Sequence, residues 1–360
     1  MDPAGGRSTT RYKVIDLFAG PGGLDVGAHW LGMTSTGIEI DPDACATRAE
    51  AALTTEQADV RHYGPDRFPE ANVLTGGPPC QTYTLAGKGS GRQALDKVVS
   101  IAEAMAEEVD AARSLHKFED ERTGLVLEPL RWALEALKAQ KPYEAIVLEQ
   151  VPAVIPIWEA IGDVLRSHGY GVDYAVLRTE QFGVPQTRRR AILVARWQDD
   201  VSLPRPTHEH FRKGAAVPTG TGLLPWVPMQ SALRKSSPFT VVSNYGSGGD
   251  PRKRGERTSA EPAATVTGKA TRNKIRMRDG NVSGMTTVEA GLLQTFPADY
   301  PWSGRDISQQ IGNAIPPRLA THVLAAALKL PVSAAALDVA VTLPWSTSRV
   351  GVDALVGTPV

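Results

Sequence analysis

A cysteine that follows two consecutive prolines is the side chain of this sequence best suited to covalent chemistry. It is Cys80, in the segment GGPPCQ of residues 76–81, and the apolar run of residues 72–74 precedes it. Proline fixes φ and cannot donate to a β-ladder, so the predicted strand has to stop at Pro78. A stiff loop then presents a thiol at the carboxyl end of a strand, where open α/β sheets bind their ligands. A small side chain packed in a tight turn is the alternative interpretation.

A glycine-rich turn near the amino terminus predicts a nucleotide-like ligand. The turn AGPGG of residues 19–23 follows the apolar run of residues 12–15 and precedes an amphipathic stretch from Leu24 to Leu31. Strand, turn and helix in this order let backbone N–H groups approach a ligand closely. A second predicted strand leads to Glu39, whose carboxylate suits ribose hydroxyls. The G-x-G-x-x-G fingerprint is not met cleanly, so a ligand without phosphates, such as S-adenosyl-L-methionine, fits this turn at least as well as a dinucleotide.

The composition allows a large core and a second, smaller domain within 360 residues. Basic and acidic residues both total 39, so the formal net charge is zero. Nucleic-acid-binding proteins are usually basic, but between Asp250 and Arg278 nine basic residues stand against three acidic ones, a local net charge of +6. A solvated charged surface is the alternative interpretation of that run. The two cysteines, Cys45 and Cys80, are too few for a disulfide framework or a metal cluster.

Strand-like and helical patterns alternate from Tyr12 to about Arg196. Strands are predicted at residues 12–17, 34–39, 72–75, 145–149, 172–177 and 191–195. Helices are predicted at residues 24–31, 42–52, 125–140 and 156–168. This alternation predicts an α/β fold with a doubly wound, mostly parallel sheet in residues 12–196.

The rest of the chain predicts a second, smaller and irregular domain at residues 197–280, where proline and glycine are frequent and periodicity is weak. Helices are predicted at 287–294 and 317–330, and residues 281–330 are predicted to return to the first domain, with the second helix packed against it. Residues 1–11 are predicted to be a flexible terminus, and the tail 331–360 carries no clear signal.

Six ordered segments of the sequence resemble the conserved blocks of the cytosine-C5 DNA methyltransferase family, in its bacterial restriction–modification type. They are DLFAGPGGL at 16–24, GGPPCQ at 76–81, IVLEQV at 146–151, QTRRR at 186–190, LQTFP at 293–297 and QIGNAIPP at 310–317. The resemblance runs from about Val14 to Leu330. It implies a class I S-adenosylmethionine-dependent methyltransferase fold, with catalysis and cofactor binding in residues 12–196 and target recognition in residues 197–280.

The resemblance assigns catalysis to Cys80, Glu149, Arg188 and Arg190. Cytosine C5 cannot take a methyl group from a sulfonium unaided, but a thiolate added at C6 turns the ring into an enamine with a nucleophilic C5. Cys80 is the nucleophile on this interpretation, and Glu149 assists at N3. Arg188 and Arg190 lie two apart, so they point the same way and would contact the target nucleotide at its phosphate and its O2. Arg189 would face the opposite side as a surface residue.

The resemblance also implies a site for S-adenosylmethionine. Phe18 would stack near the adenine, Glu39 would accept from the ribose hydroxyls and Asp59 from the exocyclic amine. A helix cap is the alternative role of Asp59. The full predicted set is Phe18, Gly20, Gly22, Gly23, Leu24, Glu39, Ile40, Asp59, Pro79, Asn313 and Ala314.

Double-stranded DNA is the expected partner. Cys80 cannot reach a base inside a duplex, so the target cytosine has to flip out of the stack. Residues 81–91, rich in glycine and hydroxyl side chains, are the predicted moving loop. The predicted DNA-binding residues are Gln81, Arg252, Lys253 and Arg254.

Two features depart from the family pattern. Gln150 follows Glu149 at a position where the family usually has asparagine. Glutamine keeps the side-chain amide and extends its reach by one methylene. Residues 92–115 form an insertion before the next family block, which usually follows residue 91 within a few residues. Their apolar side chains repeat at three- and four-residue steps, which predicts an amphipathic helix. We expect this inserted helix to dock on the outer side of the catalytic domain; contact with a second copy is the alternative.

The predicted function is that of a DNA (cytosine-5)-methyltransferase in a restriction–modification system, whose cognate restriction endonuclease it does not contact. A secretion signal and a membrane-length apolar run are not recognisable, so we expect a cytoplasmic protein without membrane contact. We also expect a monomer. An RNA cytosine-5 methyltransferase is the alternative enzyme, disfavoured by the irregular region 197–260 and by the lack of a Cys-Phe-Thr signature. A non-catalytic DNA-binding regulator is disfavoured by the intact set of predicted catalytic residues.

Overall fold

The computed structural model describes residues 11–79, 89–105, 124–246 and 254–348. Strands and helices alternate as far as Trp197. The strands are β1 (Lys13–Leu17), β2 (Thr34–Glu39), β3 (Thr54–Gln57), β4 (Val73–Gly76), β5 (Ala145–Gln150), β6 (Tyr170–Arg178), β7 (Gln186–Thr187) and β8 (Arg189–Trp197). The helices are α1 (Gly23–Trp30), α2 (Pro42–Glu50), α3 (Gly89–Met105), α4 (Glu128–Lys138) and α5 (Ile155–Ser167). Single 3₁₀ turns span Val60–His62, Pro65–Arg67, Leu125–Leu127, Pro152–Val154 and Thr179–Phe182.

The remaining elements form a smaller sheet and a set of carboxy-terminal helices. The strands are β9 (Phe239–Gly246), β10 (Arg254–Thr258), β11 (Ala263–Ala264), β12 (Lys274–Met277) and β13 (Val282–Gly284). The helices are α6 (Met229–Ala232), α7 (Thr287–Leu293), α8 (Ile307–Asn313), α9 (Pro317–Leu328), α10 (Ala334–Ala340) and α11 (Trp345–Ser348), with a 3₁₀ turn at Ala270–Arg272.

Seven strands form the main sheet in the order β3-β2-β1-β4-β5-β8-β6. The pairs from β3 to β5 are parallel, whereas β8 runs antiparallel to both β5 and β6. All residues of β4 are buried, as are all but the first of β1 and all but the last of β5, which is typical of the inner strands of a parallel sheet. The predicted α/β fold with a mostly parallel sheet is therefore confirmed. The sequence patterns do not predict β3 or the direction of β8.

Helices cover both faces of the main sheet, which makes it doubly wound. On one face α4 and α5 pack through buried side chains that include Trp132 and Trp158. On the other face α1 and α9 pack through residues such as Leu24 and Leu319. The carboxyl ends of the parallel strands therefore remain open at one edge of the sheet, which is where ligands bind in such folds.

The inserted helix is present as α3, and four of its apolar residues are buried where it packs against α5. Val98, Ile101, Ala102 and Met105 are at most 7% exposed and belong to the same core cluster as α4 and α5. This contact agrees with the predicted docking on the catalytic domain. Residues 106–115 of the predicted insertion lie outside the described residues.

The smaller sheet is antiparallel, with the strand order β10-β9-β12-β13. Phe239, Val241 and Ile275 face its core, which also includes side chains of α6 and α7. The strand β11 pairs in parallel with β7 in a separate two-stranded sheet, and β7 directly precedes β8 of the main sheet. A separate antiparallel sheet is thus present where the second domain is predicted, and it is more regular than the proline and glycine content indicates. The bounds 197–280 stay a prediction.

The tail contributes to the core, which the sequence does not predict. Leu337, Ala340 and Trp345 of α10 and α11 are buried beside Trp30 and Phe296. The Trp345 indole donates a 3.0 Å hydrogen bond to the carbonyl of Ala51. None of the helices within the described ranges combines the length and apolarity that crossing a membrane requires.

Candidate active site

A cavity of about 780 Å³ opens at the carboxyl edge of the main sheet. This volume is within the usual range of small-molecule sites. Ten of the eleven predicted cofactor residues line it, and Gly22 is the exception. The predicted catalytic residues Glu149 and Arg190 line the same cavity. The structure therefore brings most of the described candidate residues together around one space, although their individual roles stay predictions.

Glu39 is held in a fixed orientation at the end of β2. Its Oε2 accepts a 2.7 Å hydrogen bond from the N–H of Gly20, and its Oε1 accepts 2.8 Å bonds from the N–H groups of Ile40 and Asp41. A carboxylate has about four acceptor positions, so Oε2 keeps capacity for a further donor. The hydroxyls of a ribose are donors of the required kind.

The turn after β1 places its residues against the cavity by unusual backbone conformations. Phe18 has φ +59°, a left-handed value that few non-glycine residues adopt. Gly22 has φ +103°, and a Cβ atom there would lie 2.4 Å from Leu53 Cδ1. Gly22 therefore serves the close packing of the turn. A Cβ at Gly20 would meet nothing within 4 Å, so that glycine leaves open space.

Ile40 is the most exposed large apolar side chain among the described residues, at 62%. It lines the cavity between Glu39 and Asp41. An apolar side chain that stays in water is unfavourable, and a planar ring bound over it would remove that exposure. The position suits the predicted contact with an adenine.

Asp59 already has partners in this structure. It caps the 3₁₀ turn at Val60–His62 by accepting from the N–H of Arg61, and the Arg61 guanidinium lies 2.7 Å from Oδ2. These hydrogen bonds from Arg61 lower the pKa of the Asp59 carboxyl. The helix-cap alternative is thus realised, while Asp59 also lines the cavity and its contact with an amine stays a prediction.

Glu149 and Arg190 form a close pair at the ends of β5 and β8. Arg190 Nε lies 2.5 Å from Glu149 Oε1, and Glu149 is only 6% exposed. The N–H is not aligned for a hydrogen bond, and Oε1 has no hydrogen-bond partner. The Arg190 charge stabilises this carboxylate, and an oxygen without an aligned donor keeps acceptor positions for a ligand. The cavity therefore contains an acceptor suited to the N–H groups of a base.

Arg188 is fully buried and does not line the cavity. Its Nη1 and Nη2 donate 2.9 Å hydrogen bonds to the carbonyls of Val266 and Gly312. Burial, and next the charge of Arg190, lower the pKa of the Arg188 guanidinium to about 9. In this structure Arg188 ties the start of β8 to two segments of the later chain, and its contact with the target nucleotide stays a prediction.

Gln150 has a role that the sequence does not reveal. Its Nε2 donates a 2.5 Å hydrogen bond to the carbonyl of Pro78, and its Oε1 accepts a 2.6 Å bond from the N–H of Val151. The side chain therefore fixes the two prolines that precede Cys80 to the end of β5. Cys80 itself and Gln81 lie outside the described residues, as do Arg252 and Lys253. Arg254 begins β10 and is exposed.

Asp16 is a further cavity residue that sequence reasoning misses. It lines the cavity beneath the turn, accepts a 2.6 Å hydrogen bond from Thr75 Oγ1 and is 1% exposed. Burial, and next the nearby charge of Asp25, raise the pKa of the Asp16 carboxyl well above its usual range. Asp25 forms a buried ion pair with Arg48 at 2.6 Å. Asp16 is the first residue of the DLFAG segment, and this position was the sequence signal that could have placed it at the cavity.

Metal-ligating side chains do not cluster in the part of the chain that the structure describes. Groups of three or more His, Cys, Asp or Glu residues with suitable geometry are absent there. The described cysteine, Cys45, is free, and burial raises the pKa of its thiol to about 11.

Comparison with known proteins gives a consistent result. The model of the C-5 cytosine-specific DNA methylase family matches residues 12–105, 107–224 and 227–329. The chain is 29% identical over 357 residues to the type II methyltransferase M1.HphI of Haemophilus parahaemolyticus, covering 88% of this chain and 86% of that protein. It is 30% identical over 258 residues to the type II methyltransferase M.AquIA of Picosynechococcus, covering 64% of this chain and 91% of that protein.

The fold is similar to that of a solved structure from Escherichia coli, described as a putative DNA modification methyltransferase encoded within a prophage. The TM-score is 0.56 at 18% identity, and the match covers 88% of this chain and 98% of that chain. At this identity the likeness concerns the fold alone.

Proposed function

This chain belongs to the C-5 cytosine-specific DNA methylase family, and on that premise we propose that it transfers a methyl group from S-adenosylmethionine to C5 of a flipped-out cytosine in duplex DNA. The observation that carries the proposal is the cavity at the carboxyl edge of the sheet. It is lined both by the predicted cofactor residues and by the Glu149–Arg190 pair. A methyl donor and a base bound in this one space would lie next to each other.

The residues of the cavity fit S-adenosylmethionine. Glu39 would accept from the ribose hydroxyls, because its carboxylate is oriented by three backbone N–H groups and keeps acceptor capacity. Ile40 and Phe18 would contact the adenine, and Asn313 would lie at the methionine end. The bound cofactor supplies an electrophilic methyl group on a sulfonium.

The protein's own residues activate the cytosine. The Cys80 thiolate adds to C6 and forms a C–S bond, since the thiolate is the nucleophilic form of cysteine. Electron density moves toward N3, where Glu149 holds or supplies a proton, and C5 becomes nucleophilic. Once C5 carries the methyl group, water takes up the C5 proton. The C–S bond then breaks, the thiolate leaves C6, and N3 returns its proton to Glu149, which restores the aromatic ring.

Gln150 supports this chemistry as a positioning residue. Its hydrogen bond to the Pro78 carbonyl fixes the segment that leads to Cys80 at the end of β5, next to Glu149. Attack by a nucleophile is fast only when the reacting atoms are held close and aligned. A rigid attachment of the prolines therefore favours addition to C6.

We further propose that the enzyme is the modification half of a type II restriction–modification system, as the relatives named above are type II methyltransferases. It would act in the cytoplasm as a monomer that contacts DNA and not its cognate endonuclease. The smaller sheet and its flanking loops would carry the recognition of the target sequence.

Transfer of labelled methyl groups tests the proposed function. The protein is incubated with labelled S-adenosylmethionine and either unmethylated bacterial DNA or transfer RNA, and the product is digested to nucleosides. We expect label in 5-methylcytosine from DNA alone, and none with Cys80→Ser. Label in RNA alone would favour the RNA methyltransferase, and binding to DNA without transfer would favour the regulator.

A further inference from the structure

A second recess, which we name the basic recess, lies beside the active site. It has a volume of about 290 Å³ and is lined by Arg178, Glu180, Arg189, Phe211, Lys213 and Arg257, with Thr187. Four of these side chains carry a positive charge and one carries a negative charge. The recess therefore has a net positive charge at the junction of the main sheet with the later part of the chain.

The strand register places the basic recess at the same edge of the sheet as the active site. Arg190 of β8 contacts Glu149 on one side. The preceding residue, Arg189, is exposed and pairs with Arg178, the last residue of the outermost strand β6. Neighbouring side chains on a strand point to opposite faces, so Arg189 points away from Glu149. The recess therefore starts at Arg189, next to Arg190 of the active site in β8, and extends to the neighbouring strand β6.

Arg178 and Arg189 form a cross-strand pair of like charges. Side chains directly opposite each other on paired strands have Cβ atoms about 5 Å apart, and like charges at such positions are destabilising. Among the described residues, neither guanidinium forms an ion pair, because no carboxylate oxygen lies within 4 Å of its nitrogen atoms. A bound anion would convert this repulsion into two favourable contacts.

The other cations of the basic recess are only partly neutralised. Lys213 donates a 3.1 Å hydrogen bond to the carbonyl of Glu256, which leaves its charge unpaired. Arg257 lies 4.5 Å above the ring of Phe211 and 3.9 Å from a carboxylate oxygen of Glu261. Its Nη1 is buried and has no hydrogen-bond partner. A guanidinium stacked on an aromatic ring is oriented and keeps its N–H groups available.

Glu180 provides the one negative charge of the recess. It is 1% exposed, and its Oε2 has no hydrogen-bond partner. Burial raises the pKa of this carboxyl, whereas Arg178 and Arg257 act in the opposite direction. This one buried carboxyl reduces the mutual repulsion of the four cations, and the recess keeps an excess of positive charge.

We propose that the basic recess binds a backbone phosphate of the substrate duplex, through Arg178 and Arg189 with support from Lys213 and Arg257. This inference rests on the proposed function, since it concerns the DNA on which the enzyme acts. Guanidinium groups bind phosphate oxygens through two parallel N–H···O bonds, which fixes the position as well as the charge of the ligand. Such a contact sets the register of the duplex relative to the cavity and carries no sequence information.

The test compares Arg178→Gln/Arg189→Gln with the parent in binding to a specific and a scrambled duplex over a range of salt concentrations. The slope of log K against log salt is negative, and each lost phosphate contact reduces its magnitude by about 0.9. If the variant loses one or two phosphate contacts, the magnitude of its slope should be smaller than that of the parent by about 1–2. The affinities for both duplexes should fall by the same factor, with unchanged binding of S-adenosylmethionine.

A matched control removes two charges from the opposite edge of the sheet. Lys141→Gln/Lys329→Gln changes exposed lysines near the start of β5 and the end of α9. Its slope should equal that of the parent. Relief of the like-charge pair also predicts that Arg178→Gln/Arg189→Gln, without DNA, unfolds at a temperature no lower than the parent does.

An unchanged slope in Arg178→Gln/Arg189→Gln would overturn the assignment of the basic recess, as would a loss of binding that occurs only together with a large loss of thermal stability. These results are distinct from a failure of the proposed function. If the parent methylates DNA and Arg178→Gln/Arg189→Gln binds DNA with the parental salt dependence, the recess assignment alone is wrong. If the parent neither binds nor methylates DNA, the proposed function is wrong.

Discussion

Shortening Gln150 by one methylene tests whether its hydrogen bond positions the segment before Cys80. In Gln150→Asn the amide withdraws from the Pro78 carbonyl, which now lies 2.5 Å from Nε2. With the backbone unmoved, the gap becomes about 4 Å, beyond hydrogen-bonding distance. The bond between Oε1 and the N–H of Val151, at 2.6 Å, is lost by the same change.

The size of the effect follows from these two hydrogen bonds. One such bond contributes about 0.5–1.5 kcal/mol net, so the pair contributes about 1–3 kcal/mol. If that free energy holds the nucleophile in place for attack, the rate of methyl transfer falls about 5- to 150-fold. Binding of S-adenosylmethionine should not change, because the contacts of Glu39 and the turn after β1 are untouched.

Single-turnover methyl transfer with saturating cofactor measures the chemical step directly. Gln150→Leu, which removes both polar groups, should be slowed at least as much as Gln150→Asn. Gln57→Asn, which shortens an exposed glutamine at the end of β3, is the matched control and should react at the parental rate. A parental rate in both Gln150 variants would refute the positioning role, and an equal loss of cofactor affinity would place Gln150 in the cofactor site instead.

Three other predictions concern the cavity and the pH dependence of stability. Glu149→Gln should lower the single-turnover rate far more than cofactor affinity measured by calorimetry; a matched loss of affinity would contradict its role at the base. Glu39→Gln should instead raise KM for S-adenosylmethionine with little change in kcat, and a change in kcat alone would contradict its contact with the ribose. Burial lowers the pKa of His208 to about 4 and of His322 to about 3, from 6.5. As the pH falls, these histidines take up protons in the unfolded chain before they do so in the folded protein. The free energy of unfolding measured with urea should therefore decrease below about pH 6.5, and it should decrease less in His322→Gln than in the parent. A constant free energy of unfolding between pH 6.5 and pH 4 would contradict this.

The main sheet and its open edge could be predicted from the sequence because apolar runs and turns are local signals. The direction of β8 could not, since alternation of side chains is the same in both strand directions. In the structure ten residues separate β6 from β8, too short for a crossover connection. The predicted strands at 172–177 and 191–195 leave 13 residues between them, a length that did not exclude a parallel pair.

The predicted site depended on contacts of two kinds. Residues of one turn or strand end, such as Phe18, Gly20 and Glu39, could be placed from sequence because the local elements bring them together. The hydrogen bond of Gln150 joins residues 72 positions apart, and those of Arg188 span 78 and 124 positions. Such pairings follow from the tertiary packing, so residue type and spacing alone do not reveal them.

The contacts of polar residues in the tail could not be predicted from the sequence either. Asp338 of α10 lies 2.5 Å from the guanidinium of the buried Arg318 in α9. The Ala- and Val-rich composition of residues 331–360 shows no strong amphipathic period. The helix α10 packs through a few contacts, which include the buried Leu337 and Ala340 and this ion pair.

Bisulfite sequencing of DNA from cells that express the parent protein or Cys80→Ser tests the central claim most directly. The claim is that Cys80, Glu149 and the cavity methylate C5 of cytosine in DNA. We predict methylated cytosines at one recurrent sequence in DNA exposed to the parent and none with Cys80→Ser at an equal level of folded protein. Unmethylated DNA with the parent, or the same methylation pattern with Cys80→Ser, would contradict the account.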